Sequence, residues 1–211
     1  MAAYGRPTLR DLFDESPTPH IAHPPRTHHR DYYVATDGSF REARGGLGVV
    51  IETRDGETVA RRSVTDAVPD NNVAEYRALH LGLDLLATRA PRDASVGIVL
   101  DHDDLAANVN RAALAARQPR HGPPHPYRVP VTSQHHWRGI RARVAGFREI
   151  RAARIDSGVN PAHCLANAPE QYAFVNEEPA QCVLPSMNTE SPDPRYPPPS
   201  RANRNTGNAS D

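Results

Sequence analysis

The sequence predicts an α/β fold: a five-stranded mixed sheet, its first three strands antiparallel and the later ones parallel, flanked by helices. Three observations carry that expectation. Residues 31–66 hold three β-rich runs joined by tight turns, and such short connections make antiparallel neighbours. Residues 70–88 then give the strongest helical pattern, set between two apolar runs. Strand, helix and strand make a crossover that returns a parallel strand to the same sheet. A last strand around Arg148–Ile155 completes the five.

Taken in order, the chain begins with a small helix, Thr8 to Glu15, with Thr8 as N-cap and Leu9, Leu12 and Phe13 apolar. A Pro/His segment, Ser16 to His29, follows as an arm on the surface or a mobile leader. His20, His23, His28 and His29 lack the spacing of a metal site and read as surface histidines. The first strand is Tyr32–Asp37 and the second Gly46–Thr53. Arg54-Asp55-Gly56-Glu57 turns into the third, Thr58–Val64. The helix over 70–88 has Asn72 as its cap and Leu79, Leu81, Leu83, Leu85 and Leu86 as apolar mass. Ala94–Leu100 is the fourth strand, and Asp103 or Asp104 opens a helix to about Arg117. Prolines exclude regular structure over 118–130. A helix from Gln134 to Ala145 precedes the fifth strand, and a short helix begins at Pro161 behind an Asn160 cap. Three segments result: an arm over 1–30, a domain over 31–176 and a disordered Pro/Asn/Ser-rich tail over 177–211.

Composition narrows the function less than the motifs do. The formal net charge is +0, so no global charge points to nucleic acid or a membrane. Lysine is absent and all 25 basic residues are arginine, the better residue for bidentate phosphate contacts. A GC-rich codon bias explains that better than selection at most positions. Two cysteines, Cys164 and Cys182, argue against a disulfide scaffold and fit a reducing compartment. No run approaches the roughly 18 apolar residues of a spanning helix, and no secretory leader is visible. A soluble cytoplasmic monomer is expected.

Three carboxylates organise the chain. Asp37 stands where the first strand leaves the sheet, and Gly38 lets the backbone turn or approach a ligand. A plain Asp-Gly hairpin turn is the competing reading. Asp101 ends the fourth strand, and if the two strands are parallel neighbours both acids emerge at one carboxyl edge. Glu75 shares a helical face with Leu79, Gly82, Leu83 and Leu86, so it points at the sheet, although a capping box from Asn72 to Glu75 is compatible with the same residues. Three acids in one place repel unless a cation is present, and hard oxygen ligands select Mg2+ or Mn2+. Two such ions can activate a water and stabilise the leaving oxygen of a phosphodiester.

Thr36-Asp37-Gly38-Ser39, then Asn71-Asn72-x-x-Glu75, then a strand ending at Asp101, then Asn160-x-x-His163-x-Leu165-Ala166 together resemble type I ribonuclease H. The resemblance covers residues 31–168 and implies the ribonuclease H-like fold. It implies hydrolysis of the RNA strand of RNA–DNA hybrids with two divalent cations, Mg2+ or Mn2+. Asp37, Glu75 and Asp101 would be metal ligands. Gly38, Ser39, Asn71 and Asn72 would line the minor groove, where an A-like hybrid displays its 2′-hydroxyls. Asn160 and Arg154 are further expected substrate contacts.

The chain departs from that family at three places. Asp101-His102-Asp103-Asp104 replaces the usual acid followed by serine, which leaves Asp103 and Asp104 as lesser candidates beside Asp101. The slot of the fourth acid holds His163, as ligand or proton carrier, or else as a surface histidine in the first turn of a helix. The basic helical handle for the hybrid is replaced by the Pro/His loop 118–130. Grip can come instead from Arg138, Arg141, Arg143, Arg148, Arg151 and Arg154, with Trp137 in the core. The alternatives are a DNA nuclease of the same fold, of resolvase or exonuclease type, and a nucleic-acid-binding module with weak or lost catalysis.

Overall fold

The computed structural model describes residues 6–16, 29–42, 44–118, 123 and 125–177. Most of the Pro/His segment, with His20, His23 and His28, lies outside the described residues, as do the middle of the 118–130 loop and the tail from 178. Five strands, β1 (Tyr32–Arg41), β2 (Arg44–Thr53), β3 (Thr58–Asp66), β4 (Ser95–Leu100) and β5 (Glu149–Arg154), form one sheet in the order β3-β2-β1-β4-β5. The first three pair antiparallel, and β1–β4 and β4–β5 pair parallel. The crossover from β3 therefore passes β2 and β1 and sets β4 beside β1.

Helices α1 (Leu9–Glu15), α2 (Asn71–Ala87), α3 (Asp103–Arg117), α4 (Gln134–Gly146) and α5 (His163–Asn167) cover both faces. Period-two alternation divides the strand side chains between two cores. Tyr32 and Val34 join Leu79 and Leu83 of α2, Leu105 and Val109 of α3, and Trp137 and Ile140 of α4. Tyr33 and Ala35 face the other way, towards Leu9 and Phe13 of α1 and Leu165 of α5. Burial on both faces is why β1 and β4 read as continuous apolar runs. Trp137 is buried, with the rings of Tyr76 and Tyr127 edge-on to it.

Local chemistry fixes several boundaries differently from the sequence reading. The cap of α2 is Asp70, whose side chain accepts from Val73 N at 2.9 Å, and not Asn72. Both are good cap residues; the register that buries Glu75, Leu79 and Leu83 puts Asp70 at the cap position. Thr8 does cap α1, in a reciprocal capping box with Asp11. That helix packs into the second core, with Phe13 edge-on to Tyr33 at 5.7 Å and Leu9 N donating to Glu52. At the other end a 3-10 turn over Ala173–Glu177 buries Val175, and the Asn176 side chain bonds both backbone groups of Ser63.

Candidate active site

Asp37 lies at a seam in the sheet. Pairing of β1 with β4 ends at Ala35↔Val99, whereas pairing with β2 continues to Arg41↔Arg44. The sequence reading ended the strand at Asp37; only its parallel side stops there, and Gly38 is within the strand rather than in a turn. Asp101 follows directly on Leu100 of β4, so the parallel pairing brings the two acids together. Gly38 has a different use: a Cβ there would overlap the backbone of Ala74 and Glu75, so its absence lets the first turn of α2 abut the strand.

The third member comes from α5. Asn160 is buried; its amide nitrogen donates to Thr36 O at 2.9 Å and its oxygen accepts from Ala162 N at 3.0 Å. Ser39 Oγ donates to Ala166 O and Ser63 Oγ to Leu165 O. These tethers hold α5 on β1 and β3 and set His163 Nδ1 3.4 Å from Asp37 Oδ2. One ligand atom each from Asp37, Asp101 and His163 lies within 4.8 Å of the others.

Glu75 is outside that trio. Asp37 shares its strand face with Tyr33 and Ala35 of the α5 layer, whereas Glu75 arrives from α2 in the opposite layer. It is buried and accepts from Gly38 N at 3.1 Å. Burial, then the charges of Asp37 and Asp101, push Glu75 up to about 9, against the lesser pull of the Gly38 N–H. Burial and then the Asp101 carboxylate raise Asp37 to about 6, with His163 pulling the other way. Asp101 Oδ1 is buried with no hydrogen-bond partner. A buried orphan oxygen, two carboxylates penalised as anions and an adjacent imidazole fit a divalent cation, which would relieve each cost.

The remaining expected residues make contacts of their own. Asn71 and Asn72 are exposed at the start of α2. Asn72 Oδ1 meets His102 Nε2 at 3.1 Å, and His102 Nδ1 caps α3 by accepting from Leu105 N. His102 was not singled out from the sequence, although a residue just ahead of an acidic first turn is in a capping position. Asp103 pairs with Arg154 at 2.7 Å and Asp104 with Arg128 at 3.7 Å, so the two lesser candidates are engaged by arginines away from the trio. Arg154 also pairs with Asp156. Asn167, one turn after His163, places its amide nitrogen 3.0 Å from His163 Nε2.

No family model matches the sequence, and a comparison with curated proteins finds no match either. Solved structures do match. The N-terminal RNase H domain of a Mycobacterium tuberculosis protein, solved as a fusion with maltose-binding protein, is 22% identical with a TM-score of 0.53, over 69% of this chain and 96% of that one. RNase H1 from the halophilic archaeon Halobacterium salinarum is 20% identical with a TM-score of 0.52, over 67% and 98%. The foamy viral protease-reverse transcriptase, in complex with an RNA/DNA hybrid, is 18% identical with a TM-score of 0.53, over 72% of this chain and 22% of that one. With the sheet order and the mixed pairing, these likenesses establish a ribonuclease H-like fold. Among the described residues, no helix is long and apolar enough to cross a membrane.

Proposed function

We propose that the chain is a divalent-metal-dependent endoribonuclease that hydrolyses the RNA strand of RNA–DNA hybrids, working as a soluble cytoplasmic monomer. The observation that carries this reading is the Asp37–Asp101–His163 group at the seam of a ribonuclease H-like sheet, with Glu75 directly behind it. Asp37, Asp101, His163 and Glu75 are the residues that would hold Mg2+ or Mn2+, two ions per site. When bound, such ions supply charge neutralisation, an activated water and stabilisation of the leaving oxygen.

The chain's own groups divide the remaining work. Asp37 faces both Asp101 and His163 and would be a central carboxylate ligand of the bound ions. The exposed His163 ring can ligate, or accept a proton at the water-facing side of the site. Asn160 ties Thr36 to the start of α5, and so sets the distance between His163 and Asp37; its amide is committed within the protein, which makes it a positioning residue. Ser39, Asn71 and Asn72 would contact the hybrid, with Ser39 also anchoring α5, whereas Gly38 is buried and would act only by letting α2 approach. Arg154, half-exposed, is paired with Asp103 and Asp156 and would have to exchange those partners for the phosphate backbone.

The test is cleavage of labelled RNA–DNA, RNA–RNA and DNA–DNA duplexes side by side, with Mg2+, Mn2+ or EDTA. Metal-dependent cuts confined to the RNA of the hybrid are expected, and Asp37→Asn should abolish them while leaving the fold intact. Preferential cutting of DNA assigns the DNA-nuclease alternative. Hybrid binding without turnover assigns the binding module. Cleavage by Asp37→Asn near the wild-type rate removes the carboxylate group from the mechanism.

A further inference from the structure

We propose a second metal site, of opposite chemistry to the first: His80 of α2 and His136 of α4 form a two-histidine clamp for a late first-row divalent ion, of which Zn2+ is the probe. The two Nδ1 atoms face each other across the helix pair at 3.4 Å. That is long for a hydrogen bond from an N–H donor. It matches two nitrogens on one tetrahedral ion, since Zn–N bonds of about 2.0–2.1 Å at the tetrahedral angle put the nitrogens about 3.3–3.4 Å apart.

Both rings are held where the clamp needs them. His80 Nε2 faces Asp84 Oδ2 at 3.6 Å, one turn along α2. The carboxylate is beyond direct hydrogen-bond distance, but its charge on the Nε2 side favours the proton there and leaves the Nδ1 lone pair for a metal. Asp84 is itself fixed by Arg143 Nε at 2.6 Å. Gly139 of α4 makes room for the His80 ring, because a Cβ at that position would overlap it. His136 is half-buried, and its ring packs on those of His80 and His135. Burial, then His80 and Arg77, lower His136 from its ordinary value, which favours the neutral, ligating ring. Arg77 is ion-paired with Asp66, so the nearby cation is partly neutralised.

Two imidazoles and no carboxylate in direct contact with the ion select zinc, nickel or copper over magnesium. Solvent or an anion fills the other coordination positions. The ion would tie α4 to α2, and because it needs both helices in place it would bind the folded chain in preference to the unfolded one. The clamp does not depend on the proposed hydrolase activity.

The experiment uses the full chain carrying Asp37→Asn and His163→Ala, so that the carboxylate site contributes little zinc binding. Calorimetric titration with ZnCl2 should give one equivalent bound and a raised Tm, with no matching response to MgCl2. Adding His80→Gln or His136→Gln should lower the affinity by at least tenfold, and Asp84→Asn by about tenfold. If a variant fails to fold, a zinc-edge anomalous map of the starting protein decides, with a peak between the two rings expected. No binding, a peak elsewhere, or folded histidine variants that titrate like the starting protein would overturn the clamp.

Discussion

At the scale of single residues, the two raised carboxylates make the metal-free protein sensitive to alkali. Glu75 titrates at about 9 in the fold and at an ordinary carboxylate value when unfolded, so between those limits the folded state binds the extra proton. Stability then falls as pH rises through that window. Asp37 adds to the slope only up to about 6. From about pH 6.5 to about pH 8.5 in EDTA, urea midpoints of the wild type should decline and those of Glu75→Gln should stay nearly flat, a difference on the order of a few kcal/mol. Parallel slopes for the two proteins would place the cost elsewhere. Under the proposed function, His163 would set the metal preference. Imidazole is a poorer ligand than carboxylate for Mg2+ and better tolerated by Mn2+, so His163→Asp should shift the optimum towards Mg2+. His163→Ala should lose most activity; full activity with both metals would make the residue a bystander. Asp37 and His163 stood out in the sequence because short motifs contain them, and Asp101 because it ends an apolar strand. That Glu75 lies outside the trio was not, because it depends on which side of the strand pleat each side chain takes.

At the scale of elements, the sequence marked α1 through its Thr8 cap and three apolar residues but left its docking open, since seven residues carry little information about which surface they cover. The reason it docks is on the sheet. Tyr33, Ala35 and Val99 point away from α2, and without α1 and α5 that face would be wet. Phe13 is almost fully buried against Tyr33, so Phe13→Ala should cost about 3 kcal/mol, read as a drop in the urea midpoint. A change below about 0.5 kcal/mol would mean that the helix is peripheral. The α2 stripe was the most legible element, because burial of positions 75, 79, 82, 83 and 86 follows directly from the helical period. Its cap was less so. Asp70, Asn71 and Asn72 are all competent, and only packing against the sheet chooses among them.

At the scale of the whole molecule, the mixed sheet was legible from the run of hairpins and the crossover, whereas the order β3-β2-β1-β4-β5 was not, because a crossover alone does not decide which edge β4 joins. The limit of the folded unit was harder to place, because composition fades gradually after Tyr172. Removing 178–211 should leave thermal stability unchanged, as expected for a segment of low apolar content. Removing 173–211 should lower it, since Val175 leaves the core and Ser63 loses both bonds to Asn176. Equal melting of the two truncations would move the boundary back to Tyr172. The tethers of α5 carry a different implication, about the order in which the protein fails. β1 is paired on both sides and covered on both faces, so its amides open only with the whole domain. His163 rides on five helical residues fastened by Ser39, Ser63 and Asn160. On warming, that patch detaches first, and the site comes apart while the sheet beneath it is still intact.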